Sequence, residues 1–208
     1  MSTKLSRRDF LKMCAGSAAA ISLAGYLAPF MKEAVAAGAP PVIWIQGASC
    51  TGCSISLLNT VHPDIKEVIT KVISLTYHPN LNAAAGDLAV REGIYKVAES
   101  NPKNFFLIVE GAVPTGADGR YCMVGEEGEE PLVFKKLLTD IGSKAKAILN
   151  FGTCSAYGGV PATGANPTDC KPVSQVVKNV PLVNVPGCPP HPDWMVGTIA
   201  HVLLYGDI

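Results

Sequence analysis

Phe105-Phe106-Leu107-Ile108-Val109-Glu110-Gly111 is the stretch that decides the fold. Its apolar side chains follow one another without a polar break and then stop at a carboxylate and a glycine. A strand with one wet face alternates in polarity, so an unbroken run needs apolar cover on both faces. Three more runs are mainly apolar and end at a turn: Val42-Ile43-Trp44-Ile45 before Gln46-Gly47, Ala147-Ile148-Leu149-Asn150-Phe151 before Gly152, and Pro181-Leu182-Val183-Asn184-Val185 before Pro186-Gly187, the last two each with one asparagine. Val68 to Tyr77 is rich in β-branched residues and reads as one further strand. Helical spacing falls between them, at Ser54 to Asn59, Gly86 to Ser100, Pro131 to Ala145 and Trp194 to Tyr205. Thr115 to Glu130, rich in Gly and Glu, reads as a surface loop. Strands alternating with helices specify an α/β fold with a doubly wound, mostly parallel sheet. Its functional site is expected beyond the carboxyl ends of the strands.

Composition narrows the function. The chain has 208 residues, 48% of them hydrophobic, which excludes general disorder. Lys and Arg total 17, as do Asp and Glu, so no basic field points to nucleic acid. Charged residues are only 16%, against roughly 25% in an average soluble domain. A surface this poor in charge suits one that is covered by a partner protein.

The first 37 residues read as a segment apart from the fold. Lys4, Arg7, Arg8 and Lys12 precede an apolar, small-residue run to about Met31, and Ala34-Val35-Ala36-Ala37 offers small-residue cleavage sites. Ser6-Arg7-Arg8-Asp9-Phe10-Leu11-Lys12 resembles the twin-arginine export signal, which implies export of the folded protein by the twin-arginine translocase. Gly16, Ser17, Ser22, Gly25 and Pro29 dilute the run as a membrane anchor. Removing residues 1–37 takes away five basic and two acidic residues, leaving 12 basic and 15 acidic. Residues 38–208 then form one domain.

The chain has seven cysteines; Cys14 lies within the export segment. Four of the others follow strands at glycine or small-residue turns: Cys50 and Cys53 in Gly47-Ala48-Ser49-Cys50-Thr51-Gly52-Cys53, Cys154 in Gly152-Thr153-Cys154, and Cys188 in Pro186-Gly187-Cys188-Pro189-Pro190. In a doubly wound sheet these loops converge at one edge. Four thiolates there suit a 4Fe–4S cluster, and Cys50 and Cys53 are read at a helix start, where N–H groups favour an anionic thiolate cluster. Three other readings stay open. A C-x-x-C pair also fits a redox dithiol, four thiolates also fit zinc, and an exported protein can pair its cysteines as structural disulfides within a flavodoxin-like binding domain.

Together, Cys50-Thr51-Gly52-Cys53, Val109-Glu110-Gly111, Gly152-Thr153-Cys154 and Pro186-Gly187-Cys188-Pro189-Pro190 resemble the small subunit of nickel–iron hydrogenases, in that family's order. The resemblance implies a flavodoxin-like domain in which Cys50, Cys53, Cys154 and Cys188 hold a proximal 4Fe–4S cluster. It implies a periplasmic location, with membrane association left open, and a large-subunit partner that carries the nickel–iron centre. Electrons would pass from there to a cytochrome c or another acceptor as dihydrogen is oxidised, or in reverse. The related subunit of respiratory complex I has adjacent cysteines in the first motif, which the spaced pair here lacks. Oxygen-tolerant members carry extra cysteines at the positions of Gly52 and Gly159, so an oxygen-sensitive cluster is implied. The family continues into a region holding medial and distal clusters. No cysteine follows Cys188, so the expectation is the N-terminal part of such a subunit, with a one-cluster form as the alternative.

Other residues have weaker readings. Glu110 has either a proton or hydrogen-bonding role or is an exposed strand-end carboxylate. Thr51 has either a hydrogen bond toward the cluster or turn chemistry. His191 and His62 read as loop or surface residues, Trp44 and Trp194 as core or interface aromatics. Cys122 and Cys170 read as free thiols or as one disulfide.

Overall fold

The computed structural model describes residues 39–206; the export segment, with Cys14, and Asp207-Ile208 lie outside them. A five-stranded sheet forms the centre: β1 (Pro41–Gln46), β2 (Ser74–Tyr77), β3 (Phe106–Glu110), β7 (Ala147–Phe151) and β9 (Leu182–Val185). All its pairings are parallel, in the order β2-β1-β3-β7-β9. Counting only these five strands, the order is 2-1-3-4-5, the flavodoxin-like form of the doubly wound sheet. The chain reverses direction across the sheet between β1 and β3.

The runs of β1, β3 and β7 are buried on both faces, with successive side chains entering different cores, whereas the edge strand β9 is only half-buried and exposes Asn184. Ile43, Ile45, Leu107, Val109 and Ile148 pack with Ile94, Phe134, Leu137, Leu138 and Ile141. Val42, Trp44, Phe106, Ile108, Leu149 and Phe151 pack with Leu57, Val68, Val72, Met195, Val196 and Ile199 on the opposite face. The covering helices are α1 (Gly52–Leu58), α2 (Ile65–Glu67), α3 (Gly86–Leu88), α4 (Lys96–Ser100), α5 (Phe134–Gly142), α6 (Thr153–Tyr157), α7 (Val173–Val176) and α8 (Pro192–Tyr205). Wide π turns at Val68–Val72 and Ala89–Tyr95 extend α2 and join α3 to α4. Among the described residues no helix is long and apolar enough to cross a membrane.

Three expected elements differ. Val68–Val72 is helical, and only Ser74–Tyr77 is strand. Asp64 caps the preceding turn by accepting from the Glu67 N–H at 2.8 Å, and Val68 and Val72, four apart, bury on one side. Burial on a helical face overrides the β-branched preference. Pro131 belongs to a strand, not a first helical turn: β5 (Met123–Glu127) and β6 (Glu130–Val133) form a hairpin, and α5 begins only at Phe134. The hairpin, with its turn at Gly128 (φ 67°), occupies much of the supposed loop 115–130. A short pair, β4 (Val113–Pro114) with β8 (Cys170–Lys171), ties the base of this excursion to a later loop.

Candidate functional site

Every strand of the central sheet sends a polar or sulfur-bearing residue to the same edge. Gln46 ends β1, and Cys50 and Cys53 follow it; His78 follows β2; Glu110 ends β3; Cys154 follows β7; Cys188 follows β9. Cys53 is buried and Cys154 half-buried, while Cys50 and Cys188 are exposed. None of the six described cysteines is paired.

The thiols lie within electrostatic reach of one another. Burial foremost, then the Glu110 carboxylate and the Cys50, Cys154 and Cys188 thiols, push Cys53 well above the ordinary thiol range. Cys154 is raised too, first by burial and then by Cys188, Cys50 and Glu110, against a lowering backbone bond from Val160. Cys53 and Cys154 thus resist ionisation, chiefly because burial disfavours their charged forms; a bound cationic centre would reverse that and take them as thiolates.

Glu110 is 1% exposed. Its Oε1 accepts from Ser49 Oγ (3.0 Å) and the Cys53 N–H (3.0 Å). Its Oε2 accepts from Gln46 Nε2 (2.9 Å), the Ser54 N–H (3.2 Å), Ser54 Oγ (2.5 Å) and Trp44 Nε1 (3.3 Å). All six partners donate, which is the pattern an acceptor-only carboxylate satisfies. The exposed strand-end reading of Glu110 is therefore wrong. The expected role for the first N–H groups of α1 also needs correction, since those of Cys53 and Ser54 serve this carboxylate.

His78, 4% exposed, completes the network. Its Nδ1 accepts from the Asn80 N–H at 3.1 Å, so Nε2 carries the proton and donates to Ser54 Oγ at 3.0 Å. Ser54 Oγ also accepts from Gln46 Nε2 at 2.8 Å and gives its own proton to Glu110. Burial pushes the imidazole down to about 4, with Glu110 opposing. The sequence reading missed Gln46, Ser54 and His78. A signal was present for Gln46 and His78, since both stand at strand ends on this edge.

The later loops are held by backbone. Thr153 donates from N (2.9 Å) and Oγ1 (3.1 Å) to the Gly187 carbonyl, and the Gly187 N–H returns to Thr153 Oγ1 at 3.1 Å. Ser56 Oγ donates to the Pro190 carbonyl at 2.7 Å, joining α1 to the Cys188 loop. Gly152 has φ 97°, and a Cβ there would lie 2.5 Å from Cys53 Sγ. A Cβ on Gly159 (φ 54°) would lie 2.7 Å from Cys154 Sγ, and one on Gly52 3.1 Å from Cys50 Sγ. Thr51 takes the left-handed conformation (φ 66°) without a side-chain capping bond, which fits turn chemistry. His191 caps α8 by accepting from the Asp193 N–H at 3.2 Å, and His62 is exposed. Trp44 is core and Trp194 lies on the surface.

A doubly wound domain with four unpaired thiols beyond the carboxyl ends of its strands belongs to the class of α/β proteins with a strand-end site, and comparison with known proteins specifies it. The family model described as NADH ubiquinone oxidoreductase, 20 Kd subunit, matches residues 50–202. The periplasmic [NiFeSe] hydrogenase small subunit of Desulfomicrobium baculatum is 47% identical over 96% of this chain and 68% of its own length. The hydrogenase-2 small chain of Escherichia coli K12 is 40% identical over 97% of this chain and 53% of its own. In the oxidised [NiFeSe] hydrogenase structure from Desulfovibrio vulgaris Hildenborough, one chain matches with a TM-score of 0.78 at 47% identity, over 79% of this chain and 59% of that one. The chain belongs to the family of nickel–iron hydrogenase small subunits. It spans between about half and two thirds of the length of these relatives.

Proposed function

We propose that residues 38–208 are the proximal-cluster domain of a hydrogenase small subunit, with Cys50, Cys53, Cys154 and Cys188 as the ligands of one 4Fe–4S cluster. The observation that carries this is the convergence of the four thiols at one strand-end crevice, with side-chain-free glycines against three of the sulfurs. Among the described residues no three His, Cys, Asp or Glu side chains stand close enough to hold a single ion. The family supports the same reading.

Such a cluster, when bound, takes up and passes on single electrons. The residues of this chain supply the rest. The thiols hold it, the Glu110 network fixes the backbone of Cys53, and the apolar cores behind the strands exclude water from its inner side. Paired with a large subunit that carries a nickel–iron centre, the domain would relay electrons to or from an external acceptor such as a cytochrome c during reversible oxidation of dihydrogen. Residues 1–37 direct twin-arginine export to the periplasm, in keeping with relatives named as periplasmic. Gly52 and Gly159 make the cluster an oxygen-sensitive one.

Cys188→Ala in the co-purified two-subunit complex tests the assignment. The expected result is loss of the proximal cluster's paramagnetic resonance signal, with the nickel content of the large subunit unchanged. A full cluster signal in that variant rejects Cys188 as a ligand.

A further inference from the structure

Among the described residues two cysteines lie outside the strand-end site, and backbone contacts link the segments that carry them. Cys170 sits in β8, opposite Pro114 of β4. The Thr115 N–H donates to the Asp169 carbonyl at 3.1 Å, and the Gly116 N–H to that of Thr168 at 3.0 Å. Beyond this seam the chain turns through Ala117 and Asp118, both at positive φ, and folds back on itself. A Cβ on Gly119 would lie 3.5 Å from the Pro114 carbonyl, and the Cys122 N–H donates to the Gly119 carbonyl at 3.1 Å. Cys122 and Cys170 therefore stand at the two ends of one short chain of contacts that runs through Gly119 and Pro114. Cys122 is half-buried against the core that holds Val113 and Val173, and Cys170 is buried, with its Sγ 3.2 Å from Thr168 Oγ1.

We propose that Cys122 and Cys170 are a dithiol that closes to an intramolecular disulfide, stapling the 115–133 excursion to the loop that ends in β8. The oxidant is an external disulfide, of the kind a thiol-oxidising compartment maintains. The Cys122 thiolate attacks one sulfur of that disulfide and releases the first small thiol. Cys170, the buried partner, then attacks the Cys122 sulfur of the mixed disulfide and releases the second. One S–S bond forms as the external one breaks, and the two protons and two electrons leave with the two thiols. Burial foremost, with Cys170 beside it, pushes the Cys122 thiol up to about 11. Little thiolate is present near neutrality, so closure is slow and accelerates as pH rises. These features suit a stabilising bond made once, after folding. Neither cysteine belongs to the proposed cluster set, so this inference stands or falls separately from that one.

The full chain, in the complex in which it purifies, is incubated anaerobically with oxidised glutathione at several pH values. It is then alkylated, and cut with trypsin and chymotrypsin so that Cys154 and Cys170 fall on different peptides. The expected product is a cross-link between the Cys122 and Cys170 peptides, lighter by two hydrogens, formed faster at higher pH and accompanied by a rise in Tm. Cys170→Ser is expected to accumulate glutathione on Cys122 instead, and Cys122→Ser to leave Cys170 reduced with no Tm change. Should Cys170→Ser fail to fold, Cys170→Ala gives the same readout. Stable glutathione on wild-type Cys122 beside an alkylated Cys170, a cross-link to any other cysteine, or no reaction at Cys122 overturns the proposal.

Discussion

The two sides of the strand-end crevice are built from different materials. On the inner side, at the β1/β3 reversal, the Cys50–Cys53 loop is fixed by a buried carboxylate with six donors and a neutral histidine behind it. On the outer side, toward the edge strand β9, the Cys154 and Cys188 loops are held by the Thr153–Gly187 exchange and the Ser56 bond, with Cys188 exposed. A buried polar network has a strong all-or-none character, because removing one member strands the others in a medium where nothing replaces water. An exposed loop loses less, since solvent substitutes for a lost partner. The inner wall therefore sets the geometry of the site, and the outer wall closes it.

Removing the carboxylate breaks the inner wall most directly. Glu110→Ala leaves six donors without their acceptor and is expected to cost about 4 kcal/mol in chemical unfolding, among the largest single-residue losses. A loss below about 1 kcal/mol would show that water enters the site freely.

The histidine behind it should give the inner wall an acid limit. With the folded imidazole pushed down to about 4 from an ordinary 6.5, the native state keeps the ring neutral while the unfolded chain takes up a proton. Stability from this group is complete above about pH 6.5 and falls as pH drops toward about 4, by roughly 3 kcal/mol in all. His78→Gln should flatten that limb of a urea-midpoint profile against pH. An unchanged slope would place the acid sensitivity elsewhere.

Gly152 stands where the two sides touch. Gly152→Ala forces an L side chain into φ 97° and sets a Cβ against Cys53 Sγ. About 2 kcal/mol of destabilisation is expected from the backbone alone, together with reduced iron content. Normal iron in a folded Gly152→Ala protein would mean that Cys53 can move aside. The smallest effect belongs to the outer wall, where Thr153→Val removes the hydroxyl's two bonds with Gly187 at about 1 kcal/mol. Faster hydrogen exchange confined to residues 186–190 would mark that loop as the one it restrains.

The core of the fold was legible because unbroken apolar runs have few alternatives. Val42–Ile45 and Phe106–Val109 can be satisfied only between two apolar layers, and both are found there. Val68–Val72 misled because β-branching is a weak preference that burial on a helical face outweighs, and Pro131 misled because a hairpin strand can tolerate it at an edge. Strand ends and glycine turns pointed to one edge for the four cysteines. The network around Glu110 was not legible, since its donors come from separate segments and Trp44 looks like plain core. Only the sheet order sets Gln46 beside Glu110 and brings His78 to Ser54.

Whether four convergent thiols hold one cluster is read out by metal analysis of the anaerobically purified complex. About four irons and four acid-labile sulfides are expected to be lost from the complex when Cys50, Cys53, Cys154 and Cys188 are all replaced by serine. Unchanged iron and sulfide in that variant, or zinc or oxidised thiols at these positions in the native chain, would contradict the account.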